Sequence, residues 1–507
     1  MRPRRADWQS AEAHSFPLQW ETLLMDLASV ATRAISRGRS SSGVAELLRE
    51  NVLFATLFTV GALLRTVVFF TYQPALLLQL DTIAYLREAL GGSPSGLRPS
   101  LYPTLLKPAL AVNNLALVPF IQHILGLGIA LILYVLLRRL GASPNTAALG
   151  AAPMLLDGYQ LIIEQYVLTE ALFDTLVVSS VALLLWRARP HPAAVAGAGA
   201  LVALSGMTRF VGLALIAPVL LYAVIRHFGW LRIASLAFGF VLPLVVYSTL
   251  FSSAGGNVEV TNRNGFFLYG RVSSFASCEG VDVPPSQRGL CIDEPPQQGF
   301  EPTGFWTLDL PEEVTDSPDA NGILLSFSGR MILAKPLSYA GAVGYDLWRF
   351  FAPRAPSSQE PNVARWRFPR TLDDADPQPR VRELEGSAPP RLEAAKFRIA
   401  AGPAAALRLY QDLVYSYGPL LGAALVAGLA GAWASGPRWG DEQRSACLLL
   451  SLLSVVLLLA PVVTTVYHFR YVLPTLPLLG AAGALGASRF AGKRGRRSMS
   501  RRRPPAF

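Results

Sequence analysis

The sequence predicts an all-α polytopic membrane protein of about ten transmembrane helices, with extracytoplasmic juxtamembrane helices and one large extracytoplasmic insert. Two observations carry this prediction. Of 507 residues, 52% are hydrophobic and only 16% are charged, whereas a soluble domain has roughly 25% charged residues. Apolar stretches close to the bilayer-spanning length of about 20 residues also recur along the chain. Together they exclude a soluble enzyme, a disordered chain, a coiled coil and collagen.

The apolar stretches define the elements in chain order. We predict spans at residues 51–72, 113–137, 145–162, 166–186, 192–207, 210–226, 230–252, 412–434, 446–466 and 471–488. The first seven fall within 51–252 and the last three within 412–488. A loop, 73–112, follows the first span, and a polar insert, 253–411, follows the seventh. Residues 1–50 lack the apolar core of a signal peptide and are predicted to be cytosolic.

Arginine distribution predicts the orientation. Connections that carry Arg pairs, such as Arg138-Arg139, alternate with less basic ones, and the tail 489–507 has eight Arg or Lys and no acid. The positive-inside rule then puts both termini in the cytosol, and it puts the loop 73–112 and the insert outside the plasma membrane. The net charge of +11 is therefore explained by basic segments that face lipid headgroups, and it does not indicate nucleic-acid binding. The excess of Arg over Lys is typical of a high-GC bacterial genome.

The insert 253–411 differs in composition from the rest of the chain. It holds 19 of the 34 acidic residues and is rich in Pro. Residues 324–351 have an amphipathic, aromatic pattern, which predicts a single interfacial helix lying on the membrane. Cys278 and Cys291 share one polar loop of the insert, where a disulfide is expected if the loop is extracytoplasmic.

Several ionisable residues stand at or near the predicted external ends of spans, although charge at membrane depth is costly. They come from separate stretches, yet the predicted topology gathers them at one face of the membrane. These residues are Asp81, Arg98, Lys107, Glu164, Glu170, Arg209, His468 and Arg470. Such a gathering is typical of a site built between helices near the lipid interface.

The acidic members of this group have alternative interpretations. Asp81 follows an apolar run, where a carboxylate gains proton affinity and can act as a general base, but it is equally suited to cap the helix that follows. Glu164 and Glu170 flank a turn. They fit either a divalent cation or an acceptor hydroxyl, or else a solvated turn for Glu164 and a buried hydrogen bond for Glu170.

The basic members point to phosphate. Arg98 and Lys107 lie in Pro-containing segments that can present cations to a phosphate, or their side chains extend to lipid headgroups. Arg209 fits an acidic partner or a phosphate, and Arg470 fits a carrier phosphate. His468 fits a metal, a hydrogen bond or a structural role. Arg65, inside the first span, is interpreted as one half of a structural ion pair.

The pattern resembles the GT-C class of integral-membrane glycosyltransferases, in particular the aminoarabinose-transferase and protein O-mannosyltransferase-like branch. The resemblance rests on Asp81 with Tyr85 after the first span, on Lys107-Pro108, on the acidic turn from Glu164 to Glu170, and on Arg470-Tyr471-Val472-Leu473-Pro474. The stretch Gly265–Arg271 with the two cysteines is similar to actinobacterial members. Unlike many relatives, this chain has Thr82, and not a second acid, directly after Asp81.

The resemblance implies a sugar donor linked to polyprenyl phosphate and used outside the membrane, with inversion at the sugar carbon. Asp81 would deprotonate the acceptor hydroxyl. From the residues alone, Glu170 is the second candidate catalytic carboxylate. Lys107, Arg209 or Arg470 would hold the departing phosphate. The candidate substrate-binding set also includes Tyr85, Arg98, Tyr102, Glu164, His468 and Tyr471. No cofactor is required, although the carboxylates leave room for a divalent metal ion.

We therefore expect a glycosyltransferase that modifies a cell-envelope glycan, lipid or protein. One alternative is a transporter or flippase of a lipid-linked sugar, which would place polar groups at the bilayer midplane and not at one face. The other is a non-catalytic membrane scaffold whose insert binds envelope partners. No Gly-rich nucleotide fingerprint or phosphate loop is present in the sequence.

Overall fold

A computed structural model describes residues 49–77, 81–92, 98–253, 263–292, 310–353, 363, 365–372, 397–433 and 441–500. Most of the predicted cytosolic segment 1–50 and the end of the basic tail 489–507 lie outside the described residues.

The described chain is predominantly helical. Its first half forms α1 (Val52–Thr71), α2 (Asp81–Ala89), α3 (Leu101–Ala111), α4 (Leu117–Arg139), α5 (Pro144–Leu156), α6 (Gly158–Ile163), α7 (Glu170–Leu185), α8 (Pro192–Gly206), α9 (Val211–Ala214), α10 (Ile216–Ile225) and α11 (Trp230–Ser253). The remainder forms α12 (Asn264–Val272), α13 (Glu312–Thr315), α14 (Ala320–Ala334), α15 (Pro336–Arg349), α16 (Ala401–Leu413), α17 (Gly418–Trp433), α18 (Glu442–Thr464) and α19 (Leu476–Ser500). A 3₁₀ segment, Phe469–Thr475, precedes α19.

Apolar helices of spanning length identify an integral membrane protein. Within the described residues, five stretches are long and apolar enough to cross a bilayer, and a sixth candidate is the pair α16 and α17, which bends by 50°. The five are Val52–Thr71, Leu117–Arg139, Trp230–Leu250, Glu442–Thr464 and Phe469–Arg489. The ten predicted spans fall on helical segments, but α5, α7, α8, α10 and α17 are each shorter than a span of about 20 residues, and the count of ten spans is not confirmed.

Close backbone contact holds part of the bundle together. A Cβ atom on Gly239 would lie 2.0 Å from the carbonyl oxygen of Ala196, and one on Gly199 would lie 2.3 Å from that of Leu236. Only glycine fits at these positions, and α8 and α11 therefore pack backbone to backbone. Small residues have this role in membrane bundles because lipid provides no hydrophobic drive for helix association.

A buried ion pair joins α1 to the chain after α6. The Arg65 guanidinium lies 2.8 Å from Glu164 Oε1 and also donates to the carbonyl oxygen of Met154. His123 Nδ1 lies 2.9 Å from Glu164 Oε2, and Gln160 donates to Oε1. Arg65 and Glu164 are 2% and 0% exposed. The structural ion pair predicted for Arg65 is therefore present, with Glu164 as its partner.

The predicted single helix over residues 324–351 is wrong. The chain forms two helices there, because α14 ends at Ala334 and α15 begins at Pro336. Proline lacks the backbone N–H that would continue the helix and disfavours helical geometry in the residue before it, here Lys335. Within the insert, Cys278 and Cys291 form a disulfide with their Cα atoms 5.5 Å apart.

Backbone hydrogen bonds fix the loop that carries Asp81. β1 (Tyr72–Gln73) pairs antiparallel with β2 (Arg398–Ile399), which joins the end of α1 to the returning insert. Leu76 then bridges in parallel to Tyr166, next to the turn that begins α7. The Thr82 hydroxyl donates to the carbonyl oxygen of Val167 at 2.9 Å. The start of α2 is thereby held beside the start of α7.

Candidate active site

Five charged residues form one continuous cluster, which we call the arginine–carboxylate cluster: Asp81, Arg98, Glu170, Arg209 and Arg470. Arg98 Nη2 lies 2.6 Å from Asp81 Oδ1, and Arg470 Nη1 lies 2.5 Å from Asp81 Oδ2. Arg470 Nε lies 3.1 Å from Glu170 Oε1, and Arg209 pairs with the same oxygen. Positive and negative groups therefore alternate along the cluster, with Arg470 bridging the two carboxylates.

The members of the cluster come from five places in the chain. Asp81 is the first residue of α2 and Glu170 the first residue of α7. Arg98 precedes α3, Arg209 stands between α8 and α9, and Arg470 lies in the 3₁₀ segment. Helix starts suit both carboxylates because the N-terminal end of a helix favours negative charge. The sequence-based expectation that these residues meet is correct for all five.

Aromatic rings surround the cluster. The Arg470 guanidinium lies 5.5 Å from the ring centre of Trp366, and that of Arg209 lies 5.8 Å from Tyr471. The Trp366 ring also contacts His468, at 5.6 Å between ring centres. Such cation–π contacts hold guanidinium groups in place and limit the access of water to them. The site is therefore a largely dry arrangement of charges, since Asp81 and Arg470 are only 15% and 14% exposed.

The charge state of Asp81 follows from two opposing effects. Burial disfavours the carboxylate, but Arg470 and Arg98 outweigh it and hold the pKa of Asp81 well below its usual range. Asp81 is therefore ionised at neutral pH. For His468, burial and the nearby Arg470 lower the pKa well below its usual range, which leaves the imidazole neutral. Its Nδ1 accepts a hydrogen bond from the backbone N–H of Arg470.

Tyrosines occupy the adjoining helices. Tyr85 lies one helical turn after Asp81 on the same face of α2, and its ring packs edge-on against Tyr102 with centres 5.2 Å apart. The Tyr102 hydroxyl donates to Gln122. Burial, followed by the negative charge of Asp81, raises the pKa of Tyr85 above its ordinary value. Of these predicted binding residues, Tyr85 and Tyr471 border the cluster, whereas Tyr102 lies behind Tyr85.

Two of the predicted site residues lie elsewhere. Lys107 is exposed on α3, on a different face from the buried Tyr102 and Leu106, and it makes no ion pair within the described residues. Glu164 is fully buried in the network with Arg65 and His123.

Sequence reasoning missed two residues at the site. Trp366 comes from the Pro-rich part of the insert, where no periodic pattern indicates a buried side chain. Asp174 lies one turn after Glu170, is 1% exposed, and has no hydrogen-bond partner for either oxygen among the residues that the structure describes. A carboxyl inside an apolar stretch is itself a signal, and it could have identified Asp174.

The charged groups of the site are guanidinium groups and carboxylates that form ion pairs with each other. Over the described ranges, no group of three or more His, Cys, Asp or Glu side chains is arranged to hold a metal ion. The chemistry that the cluster itself offers is a carboxylate base next to three guanidinium groups, which bind phosphate oxygens with two parallel hydrogen bonds each.

Two solved structures match the chain at low similarity. The archaeal oligosaccharyltransferase AglB from Archaeoglobus fulgidus, in complex with an inhibitory peptide and a dolichol-phosphate, is 12% identical with a TM-score of 0.36, and the match covers 90% of this chain. This chain spans about half the length of that protein, 52%. ArnT from Cupriavidus metallidurans, bound to undecaprenyl phosphate, is 16% identical with a TM-score of 0.35, over 89% of this chain and 81% of ArnT.

A family match covers part of the chain. No curated protein sequence matches the chain. Residues 109–251, however, match the family model described as dolichyl-phosphate-mannose-protein mannosyltransferase. Glu170 and Arg209 lie inside the matched region, and Asp81, Arg98 and Arg470 lie outside it. Over residues 109–251 the chain is thus similar to this mannosyltransferase family, which agrees with the resemblance drawn from the sequence.

Proposed function

We propose that this protein is an integral-membrane glycosyltransferase that moves a sugar from a polyprenyl-phosphate donor to a hydroxyl of a cell-envelope glycan, lipid or protein. The observation that carries the proposal is the arginine–carboxylate cluster. It brings a carboxylate base within 2.5 Å of a guanidinium group, and phosphate is the leaving group that such a site suits. The family match over residues 109–251 supports the same class of reaction.

The reaction assigns a step to each part of the cluster. Asp81 takes the proton of the acceptor hydroxyl, and the acceptor oxygen forms a bond to the anomeric carbon of the donor sugar. The bond from that carbon to the phosphate oxygen breaks, and its electron pair stays on the departing polyprenyl phosphate. Attack opposite the leaving group inverts the sugar carbon. Arg470 and Arg209 neutralise the charge that develops on the phosphate.

The membrane explains why the donor would be a lipid. Guanidinium groups fixed in a low-dielectric site interact more strongly with a phosphate than the same groups in water. In the proposed topology all ten helical segments cross the bilayer, both termini are cytosolic, and the cluster faces the outside of a bacterial plasma membrane. The polar insert would then contact the acceptor.

The test is Asp81→Asn in reconstituted membranes, with turnover measured from a polyprenyl-phosphate sugar. We expect turnover to fall by roughly 10²-fold or more, because general base catalysis contributes about 10²–10⁴-fold. The matched control is Glu442→Gln, which breaks the Arg139–Glu442 ion pair outside the cluster and should leave turnover unchanged. Near-normal turnover of Asp81→Asn in folded protein would remove Asp81 from the mechanism and favour a scaffold.

A further inference from the structure

Both oxygens of the proposed base are already occupied. Arg98 approaches Asp81 Oδ1 through Nε at 2.7 Å and Nη2 at 2.6 Å. Arg470 donates to Oδ2 at 2.5 Å. A carboxylate that accepts charge-assisted hydrogen bonds on both oxygens is a weak base, because taking up a proton would cost it those interactions. In this state Asp81 is poorly suited to deprotonate a hydroxyl.

The cluster also contains more positive than negative charge. Three guanidinium groups face two carboxylates. The other titratable groups nearby do not change this balance: Tyr85, Tyr471 and His468 are neutral, and the Arg365 side chain is exposed to solvent. Asp174 is buried without a hydrogen-bond partner in the described chain, which favours its neutral form. One positive charge in a site of low exposure is therefore uncompensated, and an anion would complete the cluster.

We propose that Asp81 occupies the anion-binding position of Arg470 before the donor binds, and that the phosphate of the lipid donor displaces it and frees Oδ2 to act as the base. This inference rests on the proposed function. It adds an order to the reaction, because the base becomes competent only once the donor is bound.

The geometry indicates which partner moves. Arg470 is held by Glu170 on one side and by Trp366 on another, at 3.1 Å and 5.5 Å. Asp81 is the first residue of α2, and its neighbour Thr82 is tied to the α7 turn. The other partner of Asp81 is Arg98, which stands outside the helices, before α3. A short side chain at a helix start can change rotamer without disturbing the fold. A phosphate has more acceptor oxygens than a carboxylate and can accept hydrogen bonds from more than one guanidinium group at once.

The inference predicts that removing the charge of the proposed base strengthens the binding of the lipid phosphate. If Asp81 competes with phosphate for Arg470, Asp81→Asn should bind undecaprenyl phosphate more tightly than the wild type, by about tenfold or more, since that factor is only ~1.4 kcal/mol. The measurement is a native mass spectrometry titration of undecaprenyl phosphate into the purified full-length protein. Glu442→Gln is the matched control and should bind like the wild type, because its partner Arg139 is outside the cluster. Arg470→Gln should bind at least tenfold more weakly.

The outcomes separate the two proposals. Unchanged or weaker binding by folded Asp81→Asn, while the wild type binds and Arg470→Gln does not, overturns the displacement and leaves the glycosyltransferase proposal standing. If the wild type prefers undecaprenyl phosphate no more than undecaprenol, both proposals fail.

A second readout needs no variant. Adding undecaprenyl phosphate to the wild type should shift a carboxylate stretching band in the infrared difference spectrum, because Asp81 loses the Arg470 hydrogen bond. Bound lipid with unchanged carboxylate bands would also overturn the displacement, even if Asp81→Asn does not fold.

Discussion

At the residue scale, the acidity of Asp81 is set by its two guanidinium neighbours. Arg470 and Arg98 hold its pKa well below the usual range despite burial. A carboxyl with a lowered pKa stays ionised as the pH falls, until the pH reaches that lowered value. The charge that the cluster needs is therefore present throughout the range in which a membrane enzyme works.

This charge state predicts a pH profile. The acidic limb of the kcat/KM profile reports the free enzyme. Its midpoint should lie below the ordinary Asp pKa of about 3.9. Removing one cation raises the pKa of Asp81, and Arg98→Gln should therefore move the limb to higher pH. In the donor complex Asp81 has left Arg470, which raises the pKa of Asp81. The acidic limb of the kcat profile should therefore lie at higher pH than that of the kcat/KM profile. An acidic limb of wild-type kcat/KM between about pH 5 and 7, unmoved by Arg98→Gln, would contradict this assignment.

The same residues show what a sequence can reveal at this scale. Asp81, Glu170, Arg209 and Arg470 could be found because a charge near an apolar span is costly and needs a reason. Lys107 satisfied the same criterion, yet it lies outside the cluster. The orientation of α3 decides that outcome, and a helix of 11 residues with Pro108 inside it does not reveal which face is buried.

At the element scale, the Arg65–Glu164 pair ties α1 to the chain between α6 and α7. Two charges with almost no exposure require each other, because each would otherwise be an uncompensated charge in a medium of low dielectric constant. The Glu164 carboxylate also forms hydrogen bonds with His123 and Gln160. Its oxygens therefore have little remaining capacity to bind a substrate. The structure favours a structural role for this residue.

This role gives a stability prediction. Glu164→Gln should destabilise the protein by about 3–5 kcal/mol, because it leaves Arg65 buried without its counter-ion. Arg65→Met combined with Glu164→Gln should recover part of that loss by removing both charges. Thermal unfolding in detergent measures both effects, with Glu442→Gln, which breaks an exposed pair with Arg139, as the control. A double variant less stable than Glu164→Gln would contradict this assignment.

Elements without a periodic pattern were the hardest to predict. The break between α14 and α15 could have been predicted from Pro336, because proline cannot continue a helix. The burial of Trp366 could not be predicted from the sequence, because it depends on β2 and α16 bringing the insert back to α1. Gln411 of α16 donates to the carbonyl oxygen of Trp366 at 3.0 Å, a contact between segments far apart in sequence. Such long-range contacts leave no local trace in composition.

At the scale of the whole molecule, the direction of the chain through the membrane decides which compartment the cluster faces. The positive-inside rule predicts an external insert and a cytosolic basic tail. The Cys278–Cys291 disulfide agrees with an oxidising compartment. The protein's own cysteines will not interfere with labelling, because two are bonded to each other and Cys447 is buried.

Labelling tests this orientation. Ser286→Cys, at an exposed position of the insert, should react with a membrane-impermeant maleimide in intact cells, and Ser498→Cys in the tail should react only after permeabilisation. The physical reason is that a charged reagent cannot cross the bilayer core. The reverse pattern would place the cluster in the cytosol and exclude an extracytoplasmic acceptor.

The most direct test of the central claim is a cryo-EM structure of the full-length protein in nanodiscs containing undecaprenyl phosphate. The account predicts phosphate density within hydrogen-bonding distance, about 3 Å, of the Arg470 guanidinium and beside Arg209. Asp81 should have turned away from Arg470 in that structure. A well-resolved lipid phosphate bound elsewhere, with the ion pairs of Asp81 intact, would contradict the claim that this cluster is the site of glycosyl transfer.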